Sequence, residues 1–269
     1  WQAQGLLTEA KLALDIPLNG GRTVGKNEAE IDFSAELTGN AIDMRNLGIE
    51  LEAITGGIHY SSQRGLVAEH LDATLWQQPV VMSLGVYDTD EVPRQGFDHF
   101  RANVTGNVEM ASLYDWLDQP VLFILEGKAP FDIKIDYFEQ QTTLWASSNL
   151  VGTQINLPDN LYKAKPQALD FELQWHLNRD KQPLLLSVEK RMNAALLFQD
   201  FSLLGGKVVI STDTEAKLQK NQLELDGLVE GSADSLVNRL LVTGYLQNAK
   251  FDDWQSLLNE YFSREALLL

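Results

Sequence analysis

Apolar residues recur at every second position along stretch after stretch of this chain, a spacing that only an extended strand can gather on one side. Leu12, Leu14, Ile16 and Leu18 form the first such series, and the Asn19-Gly20-Gly21 turn signal follows it. Alternation resumes with Ile31, Phe33, Ala35 and Leu37 set against Glu30, Asp32, Ser34 and Glu36, which describes a strand with one greasy and one wet face. Val80, Met82, Leu84 and Val86 repeat the pattern, as do Phe131, Ile133, Ile135 and Tyr137, and Phe171, Leu173, Trp175 and Leu177. Shorter strand candidates lie at 184–188, 194–198, 208–210, 223–225 and 240–242. A chain of this kind is mainly β.

Helical spacing is confined to a repeated unit. TGNVEMASLYDWL begins at Thr105 and TGYLQNAKFDDWQSL at Thr243, and they align without a gap. Gly106 pairs with Gly244, Asp115 with Asp253 and Trp116 with Trp254. Each copy predicts a strand end, a turn at Thr-Gly and a short amphipathic helix, near 111–118 with Ser112 as N-cap and near 252–265 with Asp252 as N-cap. A looser echo relates AITGGIHYSS, from Ala53, to SLLGGKVVIS, from Ser202. Internal repeats of this length mark a duplicated building block. The chain divides between Pro158 and Pro166, giving a first unit over 1–157 and a second over 158–269.

The 269 residues suffice for a substantial core. Acidic residues outnumber basic ones 38 to 21, a formal charge of −17 that repels a phosphate backbone, so nucleic acid is excluded as a partner. Cysteine is absent, which removes disulfides, thiol catalysis and cysteine metal sites, and suits cytosol and periplasm alike. No apolar run reaches the roughly 18 residues of a membrane-spanning helix, and Trp1 opens with no signal-peptide pattern, as expected for a piece of a longer protein.

Catalytic motifs find little support. GGRTVGKN sets Gly20, Gly25 and Lys26 at phosphate-loop spacing, but Asn27 replaces the Ser or Thr that would ligate magnesium, and the segment after it alternates as a strand. His59, His70, His99 and His176 show no metal-ligand spacing, and His176 lies on the polar side of its strand. The acidic runs Asp88–Glu91 and Asp252–Asp253 lack a calcium-loop pattern, and there is no Gly-x-Ser-x-Gly elbow. The reading is therefore no catalytic residue, no metal and no cofactor.

SNLVGTQINLPDNLYK, from Ser148 to Lys163, resembles the Ser-Asp-Leu-x-Gly and Leu-Pro-x-Pro-Leu-x-Lys segment of the AsmA-like YhdP family, with Asn149 in place of the usual Asp and Asn160 where a second Pro is common. The order of landmarks around it is also similar: a Gly-Gly strand at Gly57, Gly65-Leu66, Ala73 to Pro79, the Thr-Gly and Asp-Trp unit, and the closing GYLQNAKFDDW. The resemblance implies a periplasmic section of an inner-membrane-anchored protein. Its long antiparallel sheet would curl into an apolar groove that passes phospholipid acyl chains toward the outer membrane. Its partners would be those acyl chains together with the rest of the parent chain and its anchor.

On this reading the groove candidates are Ile31, Phe33, Leu37, Val80, Met82, Leu84, Val86, Phe131, Ile133, Ile135, Phe171, Leu173 and Trp175. Gly106, Asp115, Trp116, Gly244, Asp253 and Trp254 mark the structural repeat. Strands stack about 4.8 Å apart, so some fourteen to sixteen of them make a groove on the order of 70 Å long. Periodicity alone equally describes a closed β-sandwich whose faces pack on each other, serving as a scaffold or protein-binding module.

Overall fold

The computed structural model describes residues 2–16, 29–45, 48–85, 99–138, 140–189, 191–200, 202–211, 238–246 and 250–265. Val86, the Gly20 to Asn27 loop, the Asp88–Glu91 run and the 223–225 strand candidate lie outside the described residues. Fourteen strands are described. They are β1 Gln2–Asp15, β2 Glu30–Met44, β3 Ile49–Ser61, β4 Gly65–Leu75, β5 Gln78–Leu84, β6 His99–Glu109, β7 Leu125–Phe138, β8 Gln141–Ser148, β9 Thr153–Ile155, β10 Phe171–His176, β11 Gln182–Val188, β12 Met192–Gln199, β13 Ser202–Ser211 and β14 Arg239–Tyr245. They form one open sheet in chain order from β1 to β14, except that β9 leaves the path and pairs with β7. Neighbouring strands from β1 to β6, and from β8 through β10 to β13, pair antiparallel, whereas β14 runs parallel to β13. The long, mainly antiparallel sheet expected from the sequence is thus found, with one parallel pair at its end; the long connection after Ser211 gives the chain room for the crossover a parallel pair requires.

By contact the chain forms two compact units, Trp1–Gly106 with Lys134–Thr142, and Asn107–Ile133 with Thr143–Leu269. The sequence repeat divides the chain elsewhere, after residue 157.

In the first unit, cross-strand register turns the alternation into two chemically distinct faces. Leu12, Phe33, Tyr60 and Leu66 stand opposite one another across β1 to β4. Leu71, Met82 and Val104 make another apolar row, and Ala68, Leu84 and Ala102 a third. Opposed residues in an antiparallel ladder share a face, and the rows between these are polar: Lys11, Ser34 and His59, or Ser83 and Asn103. His59 reaches Asp32 at 2.9 Å, and Arg101 pairs with Asp136, both on this polar side. Register shifts interrupt all four ladders from β1 through β5, and such bulges bend and over-twist a sheet.

In the second unit, Leu144, Trp175, Leu184, Leu196 and Gly206 share one row, and Ala146, Leu173, Leu186, Ala194 and Val208 the next. The helices also belong to this unit: α1, Met110–Leu117, and α2, Phe251–Glu265. Arg264 of α2 places its guanidinium 4.8 Å from the ring centroid of Phe123, in the 3-10 turn Pro120–Ile124 that follows α1.

Three local expectations are corrected. Thr105-Gly106 and Thr243-Gly244 make no turn; both lie inside strands, β6 and β14. The glycine serves close approach instead: at Gly244, φ is +157° and an added Cβ would sit 1.8 Å from the Ile210 carbonyl oxygen. Ser112 is not the N-cap of α1, because the chain stays extended through Glu109 (φ −73°, ψ 131°) and turns helical at Met110, which is buried against the unit. Asp252 is likewise inside its helix, in the first turn, where its charge still complements the helix dipole. The backbone N–H of Lys250, just ahead of that helix, is met by the Asp159 carboxylate at 3.4 Å.

Burial along the apolar face of the first unit is graded. Ile54 is 1% exposed and Leu71 2%, whereas Leu12 is 62% and Leu14 54%. Ile54→Ala therefore lowers stability by about 2–5 kcal/mol, while Leu12→Ala changes it by no more than about 0.5 kcal/mol. Urea denaturation of the two variants checks this; equal losses would mean that the face is packed out to β1.

Candidate functional site: apolar faces of the sheet

The candidate site is a surface built strand by strand. In the first unit Ile31 stands opposite Leu14 and Phe33 opposite Leu12, while Leu37 stands opposite Leu7 and Gly56. Ile31 is exposed; Phe33 and Leu37 are half-buried. Val80, Met82 and Leu84 occupy the same face on β5, the first two buried and Leu84 half-buried. The register thus brings Ile31, Phe33, Leu37, Val80, Met82 and Leu84 together on one face. Among the described residues this unit contains no helix. At the β1 edge Leu12, Leu14 and Ile16 present a row of exposed aliphatic side chains.

On β7, Phe131, Ile133 and Ile135 are each half-buried, in alternation with Asp132, Lys134 and Asp136. The Arg101–Asp136 pair fixes which side of the strand is polar at that end. On β10, Leu173 is half-buried and Trp175 buried, its ring 5.4 Å from that of Phe198 in a tilted contact.

Phe171 stands in a different setting. It packs, with Leu186 and Met192, against a core of Ile155, Leu169 and Val188, joined by Ile124, Leu125, Leu150 and Leu157. Ile155, Leu150, Leu157 and Leu169 come from one segment, Asn149 to Leu169, which contains the stretch between Pro158 and Pro166 where the sequence divides the chain. Its ends are pinned: the Gly152 N–H donates to the Lys165 carbonyl at 2.7 Å, and the Leu169 N–H to that of Asn149 at 2.8 Å. Asn149 departs from the family's Asp yet keeps its acceptor, taking the Val151 N–H at 3.0 Å. Gly152 has φ +97°, and a Cβ there would lie 2.4 Å from the Lys128 carbonyl oxygen.

Lys163 holds the segment from within. It is 1% exposed, and its ammonium donates to the carbonyl oxygens of Leu150 and Thr153 at 2.7 Å each and of Ala164 at 3.3 Å. Its backbone pairs with Ile155 in both directions. Burial lowers its pKa from the ordinary lysine value, and the positive charge of Arg191 adds to the effect. No sequence pattern marks this lysine, although Thr153, Ile155 and Leu161 around it are buried with it.

Gly106 faces Val80 within β6 and Gly244 faces Ile210 within β14. Asp115 and Asp253 are exposed, and Trp116 and Trp254 half-buried. The Trp254 indole N–H is buried without a hydrogen-bond partner, so this ring serves the unit through its apolar body. His176 is half-buried between Thr143 and Gln174, and burial lowers its pKa, with Arg179 reinforcing the shift. No group of histidines and carboxylates among the described residues could hold a metal ion, and no described helix is long and apolar enough to cross a membrane.

The family described as YhdP protein matches residues 1–266, and the chain belongs to that family. Comparison with curated proteins and with solved structures finds no match.

Two substitutions test the pinned segment. Gly152→Ala forces a side chain into a left-handed conformation against a backbone oxygen and costs about 2 kcal/mol or more. Lys163→Met keeps the packing but leaves three carbonyls without their donor, which costs about 2–4 kcal/mol near neutral pH. The pH dependence has a definite sign. A lysine whose folded pKa is lowered binds fewer protons folded than unfolded, so its contribution to stability rises with pH toward the ordinary value of about 10.4. The advantage of the wild type over Lys163→Met accordingly grows in urea titrations as the pH rises toward that ordinary value; a constant advantage would mean an unshifted ammonium.

Proposed function

We propose that this member of the YhdP family is a section of an envelope-spanning protein that carries phospholipid between the inner and outer membranes, seating acyl chains on the apolar faces of its sheet. The observation that carries the reading is the apolar face of the first unit, kept in register over six strands, backed by a polar face and left exposed at β1. An exposed aliphatic surface in this arrangement is where a hydrocarbon chain gains by leaving water, at about 25 cal/mol per Å² of apolar surface removed.

The chain works as a track and not as an enzyme. Transfer along such a face needs no bond to be made or broken: an acyl chain exchanges one set of aliphatic neighbours for another of nearly equal energy. Side chains without hydrogen-bonding groups suit this, since they hold a chain without fixing its position. The polar face, with Glu30, Asp32, Glu36 and Asp72, remains toward water, consistent with a periplasmic setting.

Mass spectrometry of organic extracts from the detergent-free protein tests the proposal. Phospholipid co-purifying in stoichiometric amount is the expected result, and Leu14→Asp, on the exposed rim, leaves the fold intact while reducing it. Lipid-free, monodisperse protein that also fails to take up phospholipid from vesicles would support the scaffold alternative.

A further inference from the structure

The Asn149–Leu169 segment lies on the same sheet face that would otherwise be available in the second unit. Ile155 and Leu169 close with Val188 into one buried cluster over Phe171, Leu186 and Met192. Register puts Phe171, Val188 and Met192 in one row, and Leu173, Leu186 and Ala194 in the next. The face is thus filled from one end by the protein's own side chains. Farther along it, on β14, Leu240 and Val242 are 51% and 55% exposed.

We infer that this segment is a fixed stop: it occupies the place an acyl chain would take over Phe171 and confines lipid in the second unit to the side of the face toward β13 and β14. The inference rests on the acyl-chain reading above. Three features make the segment a permanent part of the fold. The buried Lys163 ammonium ties Leu150, Thr153 and Ala164 together from inside. Gly127 and Gly152 allow backbone contact too close for a Cβ, with β7 against the segment. Asn156 makes two further links, its N–H to the carbonyl of Ile124 at the end of the 3-10 turn at 2.8 Å and its side-chain amide to the Glu126 carboxylate of β7 at 2.8 Å. A lipid chain entering here would have to displace a charge-assisted network as well as an apolar cluster.

A matched pair of probes decides the matter. p-Benzoylphenylalanine is incorporated in the full chain at Phe33, on the face of the first unit, or at Phe171, beneath the segment. Each protein is then irradiated with vesicles of phosphatidylethanolamine and phosphatidylglycerol that contain alkyne-tagged phosphatidylethanolamine. Lipid adducts several-fold more abundant at Phe33 than at Phe171 are the expected result. Equal yields at the two sites, in proteins with unchanged circular dichroism, overturn the stop while leaving lipid carriage standing. No adduct at either site, nor at a third probe placed at Val242 on β14, overturns lipid carriage and the stop with it. In the Lys163→Ala background the Phe171 yield rises toward that of Phe33; a folded variant whose yield stays low shows that the segment is not what blocks the site. If that variant fails to fold, the wild-type pair still decides.

Discussion

Everything in this molecule depends on cross-strand register. Side chains alternate strictly along a strand, so a slip of a single residue between neighbours would move a whole apolar set to the wet side. The ladders avoid this by placing apolar residues opposite apolar residues: Leu12, Phe33, Tyr60 and Leu66 across four strands of the first unit, and Leu144, Trp175, Leu184 and Leu196 across four of the second. Bulges lie within the ladders of the first unit, and the register recovers after each so that the faces keep their identity. In β13 the device is visible at Gly205, where φ is +156° and the pairing with β12 shifts. Gly56 in β3, its counterpart in the looser echo, has φ +138°.

The second unit adds a different kind of order. A segment whose own regular structure is limited to the short strand β9 and a single 3-10 turn is held by one buried cation and a few close backbone contacts, and it supplies the apolar residues that fill the face beneath it. Lys163 is suited to this because three carbonyl oxygens converge on a single ammonium, a geometry that satisfies all its donors without a counter-ion. The same segment lends Asp159 to the start of α2, so the loop and the second repeat helix are coupled locally.

Much of this was legible in the sequence because alternation states which residues share a face, and Ile31, Phe33, Val80 and Met82 lie where that rule places them. Both helices were legible within a residue or so, since their apolar spacing differs so clearly from that of the strands. Thr-Gly was not: glycine reads as a turn by propensity, whereas in β14 it answers the proximity of a neighbouring carbonyl that only the fold reveals. Lys163 was hidden for a related reason. A lysine in a polar loop normally keeps its charge in water, and its burial depends on three carbonyls brought together by the fold. The parallel pairing of β14 also left no mark on its residues, because the alternation of apolar side chains is the same for either strand direction.

The central claim is that one face of the first unit receives apolar ligand while the other stays wet, and adjacent residues of β1 test it most directly. The chain has no cysteine, so single spin labels can be attached at Leu14 and at Ala13, which point to opposite faces. Electron paramagnetic resonance would then be recorded as phospholipid is titrated in. A label at Leu14 that becomes immobilised and oxygen-rich while one at Ala13 is unaffected is the predicted result. Unchanged spectra at both positions, or equal changes at both, would contradict it.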